Sequence, residues 1–207
     1  SASCFVYLSA LAHLINIGDT IVANKDLRDW INELEANGQL QHVSGADHHE
    51  EIGAIVDIHM HKMTNPAVMF DDIPGFNKGT RVLANILTSV PRINIALGKP
   101  VDTTEIELVN YWREYMKDQP VNEPVEVNGG PLIENVFEGD DIDIMKIPAP
   151  KWHELDGGYF IGTACMVVMK DPDSGWINYG AYRVPAHDAK TASVMGSTGK
   201  HGGILRR

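Results

Sequence analysis

Residues 159–184 have the sequence YFIGTACMVVMKDPDSGWINYGAYRV, and this stretch decides the fold that the chain predicts. Apolar, β-branched and aromatic residues favour one strand over residues 159–169 and a second over residues 176–184. Between them, residues 171–175 supply Asp, Pro, Ser and Gly, which are typical of a tight turn. The stretch therefore predicts a β-hairpin.

The second predicted strand has two different faces, because successive side chains of a strand point to opposite sides. The more compact and polar face carries Trp176, Asn178, Gly180 and Tyr182. The opposite face carries Ile177, Tyr179, Ala181 and Arg183. The first of these faces is the candidate for a binding site.

Asn178 and the Gly-rich segment over residues 196–203, GSTGKHGG, offer the donors of a metal and phosphate site. Asn178 supplies a neutral oxygen and His201 an imidazole nitrogen, and both bind divalent cations. Lys200 and the loop amides can meet a phosphate group. The pattern predicts half of such a site, because it lacks a carboxylate ligand.

Each of these residues also has a structural interpretation. Trp176 and Tyr182 are residue types that belong to a core more often than to a site. Asn178 can satisfy a local backbone group, and Arg183 can be a surface ion-pair partner. The spacing of Asn178 to Arg183 and His201 favours the ligand interpretation.

Upstream of the hairpin, helical and strand patterns alternate and predict an α/β layer. The first helix has an apolar face formed by Leu27, Trp30, Ile31 and Leu34, with Asp26 placed to cap its start and Gly38 to end it. A second helix is predicted over residues 47–63, followed by a buried strand over residues 67–70. The inward side chains of this second helix are Ile52, Ile55, Val56, Met60 and Met63.

Three further helices are predicted over residues 80–90, 92–98 and 102–117. In the last one, Thr104 and Glu107 have the spacing of a capping box. Its predicted inward face consists of Ile106, Val109, Trp112 and Met116.

The composition of the sequence changes over residues 119–131, QPVNEPVEVNGGP, which are rich in Pro, Gly, Asn and Val. This composition predicts a linker. We therefore expect a helical extension over residues 1–24, an α/β domain over residues 25–120 and a β-rich domain over residues 121–207. The extension rests on helical spacing of apolar residues within residues 5–18. The β-rich domain is predicted to include a further strand over residues 142–147.

The charge of the chain disfavours some classes of partner. Seventeen Lys and Arg residues stand against 28 Asp and Glu residues, so the net charge of -11 disfavours nucleic-acid binding. The apolar run at residues 5–18 is too short to span a bilayer, which predicts no membrane association. Cys4 and Cys165 lie far apart in the sequence, which is typical of reduced thiols in a cytoplasmic protein.

Two groups outside the hairpin also invite a metal interpretation. His48, His49, His59 and His61 lie near two glutamates, but His59 and His61 would point about 200° apart on a helix and so chelate one ion poorly. The acidic run over residues 138–143 lacks the spacing of an EF-hand and is more typical of a solvated turn.

Residues 171–183, DPDSGWINYGAYR, resemble the signature of the UbiD family of prenylated-FMN-dependent decarboxylases. Residues 27–40, 67–76 and 157–163 lie where that family has similar sequence, so the resemblance extends over residues 25–207. It implies an α+β fold, in which an N-terminal α/β domain is followed by the first part of a split β-barrel flavin-binding domain, incomplete in this chain.

The resemblance also implies roles for individual residues. The family residues that match Asn178 and His201 bind a manganese-type ion together with a Glu further downstream. The residue that matches Arg183 acts beside the reactive ring in a network with two acids, which also lie downstream. The implied cofactor-binding residues are Trp176, Asn178, Ala181, Tyr182, Arg183, Ser197, Thr198, Lys200, His201 and Gly202.

The activity that the resemblance implies is a reversible, non-oxidative decarboxylation of an aromatic, heteroaromatic or α,β-unsaturated carboxylic acid. Its implied cofactors are prenylated FMN and Mn²⁺ or a similar divalent ion, with K⁺ as an optional further ion. A flavin prenyltransferase would supply the cofactor, and the protein would form a homo-oligomer. Two alternatives stay open, namely an FMN-binding split-barrel oxidoreductase and a non-catalytic fragment of the decarboxylase.

Overall fold

The computed structural model describes residues 6–7, 26–117, 127–130 and 133–205. Within these ranges the chain forms a mixed three-stranded sheet with helices and a second, antiparallel three-stranded sheet. The predicted α+β class is therefore confirmed. No helix in these ranges is long and apolar enough to cross a membrane.

The first helix, α1 (Leu27–Ala36), begins and ends where the sequence predicts. The Asp26 carboxylate accepts hydrogen bonds of 2.7 and 3.2 Å from backbone N–H groups of the first turn, and these bonds lower its pKa. Gly38 adopts the left-handed conformation, at φ +64°, that commonly ends a helix. Trp30 and Leu34 are buried, as predicted.

The second helix, α2 (Glu51–Met60), is shorter than the helix predicted over residues 47–63. Ile52 and Val56 are buried as predicted, but the predicted burial of two methionines is wrong. Met60 is 49% exposed and Met63 is 103% exposed, whereas His59 is buried. The reason is geometric, because His59 lies three residues after Val56 on the inward face and Met63 lies beyond the end of the helix.

The first sheet is built around β3 (Ala67–Asp71), whose residues 67–70 are buried as predicted. It pairs in parallel with β2 (Leu40–Ser44) and antiparallel with β4 (Val82–Ala84). The helix predicted over residues 80–90 is therefore wrong, because residues 82–84 form β4, residues 85–89 form a turn and only residue 90 is helical. Pairing with β3 satisfies the backbone groups of that strand, and this tertiary gain outweighs the local pattern.

Two more helices follow, α3 (Val90–Ala96), which overlaps the predicted 92–98 helix, and α4 (Glu105–Tyr115). The predicted capping box at the start of α4 is confirmed, with Thr104 and Glu107 bonded reciprocally. The predicted inward face of α4 is wrong, because the helix packs against the rest of the chain through half-buried residues on a different side. Those residues are Leu108, Tyr111 and Tyr115, while the exposed ones are Ile106, Val109, Trp112 and Met116.

The second sheet contains the predicted hairpin of β5 (Tyr159–Lys170) and β6 (Ile177–Ala186), which pair antiparallel. In the turn, the Asp171 N–H donates to Trp176 O at 2.8 Å, and Gly175 has φ +73°. The hairpin prediction is therefore confirmed.

A short strand, β1 (Val6–Tyr7), pairs antiparallel with β5 opposite Val167 and Met166. The helix predicted over residues 5–18 is therefore wrong at these two residues, because they complete backbone hydrogen bonds along the open edge of β5. The rest of the predicted extension over residues 1–24 lies outside the described residues.

The strand predicted over residues 142–147 is also wrong, since residues Ile144–Lys146 form a single 3-10 turn. The Asp143 carboxylate accepts a 3.1 Å hydrogen bond from the Met145 N–H. Such local side-chain bonds compete with strand pairing. Residues 138–141 just before it are exposed, as expected of a solvated turn. The linker predicted over residues 119–131 lies largely outside the described residues and stays a prediction.

The start of α2 packs against the segment that leads into β5. The His48 ring stacks on the Tyr159 ring at 4.7 Å, and Lys151 Nζ lies 2.9 Å from the Glu50 carboxylate. Gly53 allows close approach, because a Cβ at this position would lie 2.0 Å from the backbone oxygen of Trp152. These contacts hold the hairpin that carries the candidate site against the first sheet.

The His42 side chain predicts a pH dependence of stability. Its ring nitrogens lie 2.7 Å from Asp71 Oδ2 and 2.9 Å from Glu35 Oε1, and these hydrogen bonds raise the pKa of His42. Protonated His42 donates both bonds, so its stabilisation is fully present below the unfolded pKa of about 6.5 and is lost as pH rises through the folded pKa. Because the group is half-exposed, we expect about 1 kcal/mol or less.

Thermal unfolding of the wild type and of His42→Gln between pH 5 and pH 8.5 checks this expectation. The wild type should have the higher Tm at low pH, and the difference should shrink as pH rises. A difference that is constant over this range, or that grows with pH, contradicts the prediction.

Candidate functional site

The hairpin strand β6 presents the two faces that its sequence predicts. Asn178, Gly180 and Tyr182 are half-buried and lead to the buried Val184. The exposed positions alternate with them and are Ile177, Tyr179, Ala181 and Arg183. The predicted alternation is therefore confirmed over residues 177–184, whereas Trp176 lies before β6 and is 43% exposed.

A short helix, α5 (His201–Leu205), brings His201 to the inner face of β6. His201 Nδ1 lies 3.0 Å from Asn178 Oδ1. The Trp176 ring meets the imidazole edge-on, with 4.8 Å between ring centroids and 79° between ring planes. Three residues singled out from the sequence therefore lie in direct contact.

The donor atoms of Asn178 and His201 have a spacing that suits a shared divalent cation. In an octahedral shell with ligand bonds of about 2.1 Å, neighbouring ligand atoms lie about 3.0 Å apart. The observed Oδ1 to Nδ1 distance is 3.0 Å. An amide oxygen and an imidazole nitrogen are also ligands that manganese-type ions accept. The pair therefore fits two ligand positions of such an ion.

Tyr182 connects α5 to β6. A Cβ at Gly202 would lie 2.0 Å from the Tyr182 hydroxyl oxygen, and a Cβ at Gly180 would lie 2.8 Å from the Tyr182 ring. The ring thus lies across Gly180 and ends against Gly202, and any larger residue would displace it. The sequence analysis assigned no separate role to Gly180. The sign of its role is that it lies two residues before Tyr182, on the same face of the strand.

The Gly-rich segment forms a tight turn beside His201. The Lys200 N–H donates to Ser197 O at 3.2 Å, and a Cβ at Gly203 would lie 2.3 Å from the same oxygen. Ser197, Thr198 and Lys200 are exposed on this turn. Hydroxyls, an ammonium group and backbone amides in one turn can bind phosphate oxygens.

Arg183 lies apart from the Asn178 and His201 pair. It is exposed on the opposite face of β6, as is Ala181. Within the ranges that the structure describes, Arg183 forms no ion pair. Its guanidinium can therefore receive an anionic group on that side of the strand, and its catalytic role stays a prediction.

The histidines of α2 have structural partners. His59 Nδ1 lies 2.7 Å from Ile55 O, and His61 Nδ1 lies 2.7 Å from Asp57 O. Both rings therefore bond to the preceding turn of their own helix. No cluster of three or more His, Cys, Asp or Glu side chains that could hold a metal occurs in the described ranges.

Family models match most of the chain. Residues 31–112 match the 3-octaprenyl-4-hydroxybenzoate carboxy-lyase N-terminal domain of UbiD proteins, and residues 123–207 match the Rift-related domain of the same enzymes. The chain belongs to the UbiD family. The family resemblance inferred from residues 171–183 is thereby confirmed.

Several relatives are decarboxylases. A pyrrole-2-carboxylic acid decarboxylase of Pseudomonas aeruginosa is 30% identical over 189 residues, which cover 87% of this chain and 38% of the relative. The closed form of vanillic acid decarboxylase from Sedimentibacter hydroxybenzoicus has a TM-score of 0.78 at 26% identity, covering 87% of this chain and 39% of that structure.

The fold is also that of HmfF, a UbiD-class enzyme of Pelotomaculum thermopropionicum. An evolved dimeric form of HmfF, solved in complex with prFMN, has a TM-score of 0.69 at 22% identity. The match covers 86% of this chain and 40% of that structure. The UbiD chain described here thus spans about two fifths of the length of the relatives it matches.

Proposed function

We propose that this chain is part of a prenylated-FMN-dependent decarboxylase that acts reversibly and without net oxidation on an aromatic, heteroaromatic or α,β-unsaturated carboxylic acid. The observation that carries the proposal is the 3.0 Å pairing of Asn178 Oδ1 and His201 Nδ1 beside a Gly-rich turn in a UbiD-family chain. Its relatives act on a heteroaromatic and an aromatic acid, according to their names.

The residues of this chain divide the binding of the cofactor between them. Asn178 and His201 would hold a Mn²⁺-type ion, and the ion would neutralise phosphate charge. Ser197, Thr198 and Lys200 would bind the phosphate from the exposed turn. The remaining contacts to the flavin are assigned to Trp176, Ala181, Tyr182 and Gly202.

When bound, the prenylated flavin supplies the electron sink that decarboxylation requires. Arg183 would hold the substrate carboxylate, because a planar guanidinium binds a carboxylate through two hydrogen bonds. Arg183 is exposed on the same face of β6 as Ala181, which is also assigned to the flavin, so a substrate can reach it from that side. Trp176 would keep the imidazole of His201 in position through the edge-on ring contact.

Reconstitution of the full-length protein with prenylated FMN and Mn²⁺ tests the activity. We expect release of carbon dioxide from pyrrole-2-carboxylate, vanillate or a related acid, and exchange of labelled carbon dioxide into the substrate. A protein that binds neither flavin nor metal under these conditions contradicts the proposal. Ordinary FMN in the purified protein, identified by its mass, would indicate an oxidoreductase instead.

A metal titration tests the assignment of Asn178 directly. We expect Asn178→Ala to weaken Mn²⁺ binding by about a hundredfold or more, because loss of a ligand costs at least as much as loss of a residue that orients one. Asn178→Asp keeps an oxygen at similar reach and adds a charge, so it should bind Mn²⁺ at least as tightly as the wild type. Electron paramagnetic resonance of free Mn²⁺ measures both.

His61→Ala is the matched control, since His61 is exposed and bonds to its own helix. It should leave the affinity for Mn²⁺ unchanged. Equal losses in Asn178→Ala and Asn178→Asp would show that Asn178 has a structural role and is not a ligand.

A further inference from the structure

The chain contains two Asn-Gly pairs, and the structure gives them different surroundings. Asn37 and Gly38 follow the end of α1, whereas Asn128 and Gly129 lie between α4 and β5. All four residues are exposed to solvent. The two pairs therefore share residue types and exposure, and they differ in the hydrogen bonds that surround them.

An Asn-Gly pair can react within itself, because the backbone nitrogen of the glycine lies within reach of the asparagine side chain. That nitrogen loses its proton and attacks the side-chain carbon Cγ, the Cγ–Nδ2 bond breaks, and the side-chain nitrogen leaves with the proton as ammonia. Water then opens the cyclic imide at either carbonyl group, which yields aspartate or isoaspartate. Glycine favours the attack, since it has no Cβ to crowd the nitrogen.

Hydrogen bonds hold the Asn37 pair away from this reaction. The Gly38 N–H donates to Glu35 O at 3.1 Å, so the attacking nitrogen is held as a donor. Asn37 Nδ2 donates to Glu33 O at 2.8 Å, which fixes the side chain against the last turn of α1. Rotation of the Asn37 side chain onto the Gly38 nitrogen thus requires the end of α1 to open.

The Asn128 pair lacks these restraints. Within the ranges that the structure describes, neither the Asn128 side chain nor the Gly129 N–H forms a hydrogen bond. An added Cβ at Gly129 or Gly130 would meet nothing within 4 Å, so open space surrounds this backbone. Val127 just before the pair is 72% exposed. The Asn128 side chain can therefore rotate onto the Gly129 nitrogen without disrupting a helix or strand.

We propose that Asn128 is a site of spontaneous deamidation, and that the end of α1 protects Asn37 from the same reaction. The product adds one negative charge to a chain whose net charge is already -11. Where isoaspartate forms, the backbone also gains one methylene group at residue 128. The proposal is independent of the decarboxylase function, since the reaction requires only the chain and water.

Incubation of the folded chain in a mildly alkaline buffer, followed by peptide mapping with mass spectrometry, tests the proposal. Each deamidated peptide gains the mass difference between an amide and an acid. We expect Asn128 to react at least about tenfold faster than Asn37, because misplacement of reacting groups by about 1 Å can lower a rate by about a hundredfold. An isoaspartyl methyltransferase with a labelled methyl donor measures the share of isoaspartate.

The same incubation in concentrated guanidinium chloride separates the effect of structure from that of sequence. Unfolding removes the hydrogen bonds of Gly38 and Asn37, so the ratio of the two rates should fall toward one. A ratio that denaturant leaves unchanged contradicts the proposal, because it would assign the difference to neighbouring residues. A folded chain in which Asn128 reacts no faster than Asn37 contradicts it as well.

Replacement of Gly129 tests which nitrogen attacks. The added Cβ has open space and the backbone is not left-handed there, so Gly129→Val should fold like the wild type. Its branched side chain crowds the nitrogen, so deamidation of Asn128 should slow at least about tenfold. Asn37 is the internal reference, since its rate rises only if the variant unfolds. A folded Gly129→Val chain that deamidates at Asn128 as fast as the wild type overturns the proposal.

Discussion

Replacing Arg92 with Met is expected to lower the free energy of unfolding by about 3 kcal/mol or more. Arg92 has no exposed surface, and its guanidinium donates to Ile86 O at 3.0 Å, to Thr88 Oγ1 at 2.7 Å and to Asn65 O. Methionine fills a similar volume but leaves these three acceptors without a donor. Each buried acceptor left unsatisfied costs about 1–3 kcal/mol.

The charge of Arg92 opposes this effect. Burial lowers the pKa of Arg92, and no acidic side chain pairs with it in the part of the chain that the structure describes. An arginine side chain keeps its proton in proteins even so. Met removes the cost of burying that charge, so the net loss is smaller than the sum of the lost hydrogen bonds.

Urea denaturation of Arg92→Met, Arg92→Lys and the wild type measures the loss of stability. Arg92→Lys keeps the charge but lacks the planar fork, so it should recover only a minor part of the loss. Arg81→Met is the control, since Arg81 is exposed and its replacement should change stability by less than about 0.5 kcal/mol. An Arg92→Met variant that matches Arg81→Met in stability contradicts the argument.

Arg92 is important for the fold because it links the segment before β3 to the segment after β4. Asn65 precedes β3 and Asn85 follows β4, and both adopt left-handed backbone conformations, at φ +36° and +58°. Asn85 Nδ2 donates to Asn65 Oδ1 and to Pro66 O, each at 2.7 Å. The sequence gives only a weak sign of this role of Arg92, namely one charged residue within the apolar run over residues 90–97. The partners of Arg92 are mostly backbone oxygens, which no residue type in the sequence reveals.

The candidate site was more predictable from the sequence than the first sheet was. Asn178 and Tyr182 share a face because strand alternation is local, and residues 171–175 encode the turn that pairs β6 with β5. Residue types alone made Asn178 and His201 candidate ligands of one site, and the family resemblance supported this, but no local rule brings the Gly-rich segment onto β6.

Several of the errors have a common physical origin in contacts between distant segments. Val82–Ala84 has a helical pattern but pairs with β3, and Val6–Tyr7 likewise pairs with β5. The predicted inward face of α4 has the correct helical period, yet it faces away from the described chain. Periodicity therefore predicted that this apolar face exists but not which surface covers it.

The position of His201 depends on Gly202, so replacing this glycine should have a large effect on Mn²⁺ affinity. Gly202→Ala is expected to weaken Mn²⁺ binding by about tenfold to a hundredfold, as changes in the residues that orient metal ligands do. The new Cβ would lie 2.0 Å from the Tyr182 hydroxyl oxygen. The Tyr182 ring already lies across Gly180, which limits its inward movement, so the clash falls on Tyr182 and α5 together, and a shift of α5 would carry His201 away from Asn178.

Combining Gly202→Ala with Tyr182→Phe distinguishes this mechanism from general damage. Phenylalanine lacks the oxygen at 2.0 Å but leaves the ring carbon that lies 2.9 Å from the new Cβ, so Mn²⁺ affinity should recover in part. Gly157→Ala is the control, because nothing lies within 4 Å of its added Cβ. A titration in which Gly202→Ala binds Mn²⁺ like the wild type would show that the Tyr182 contact does not position His201.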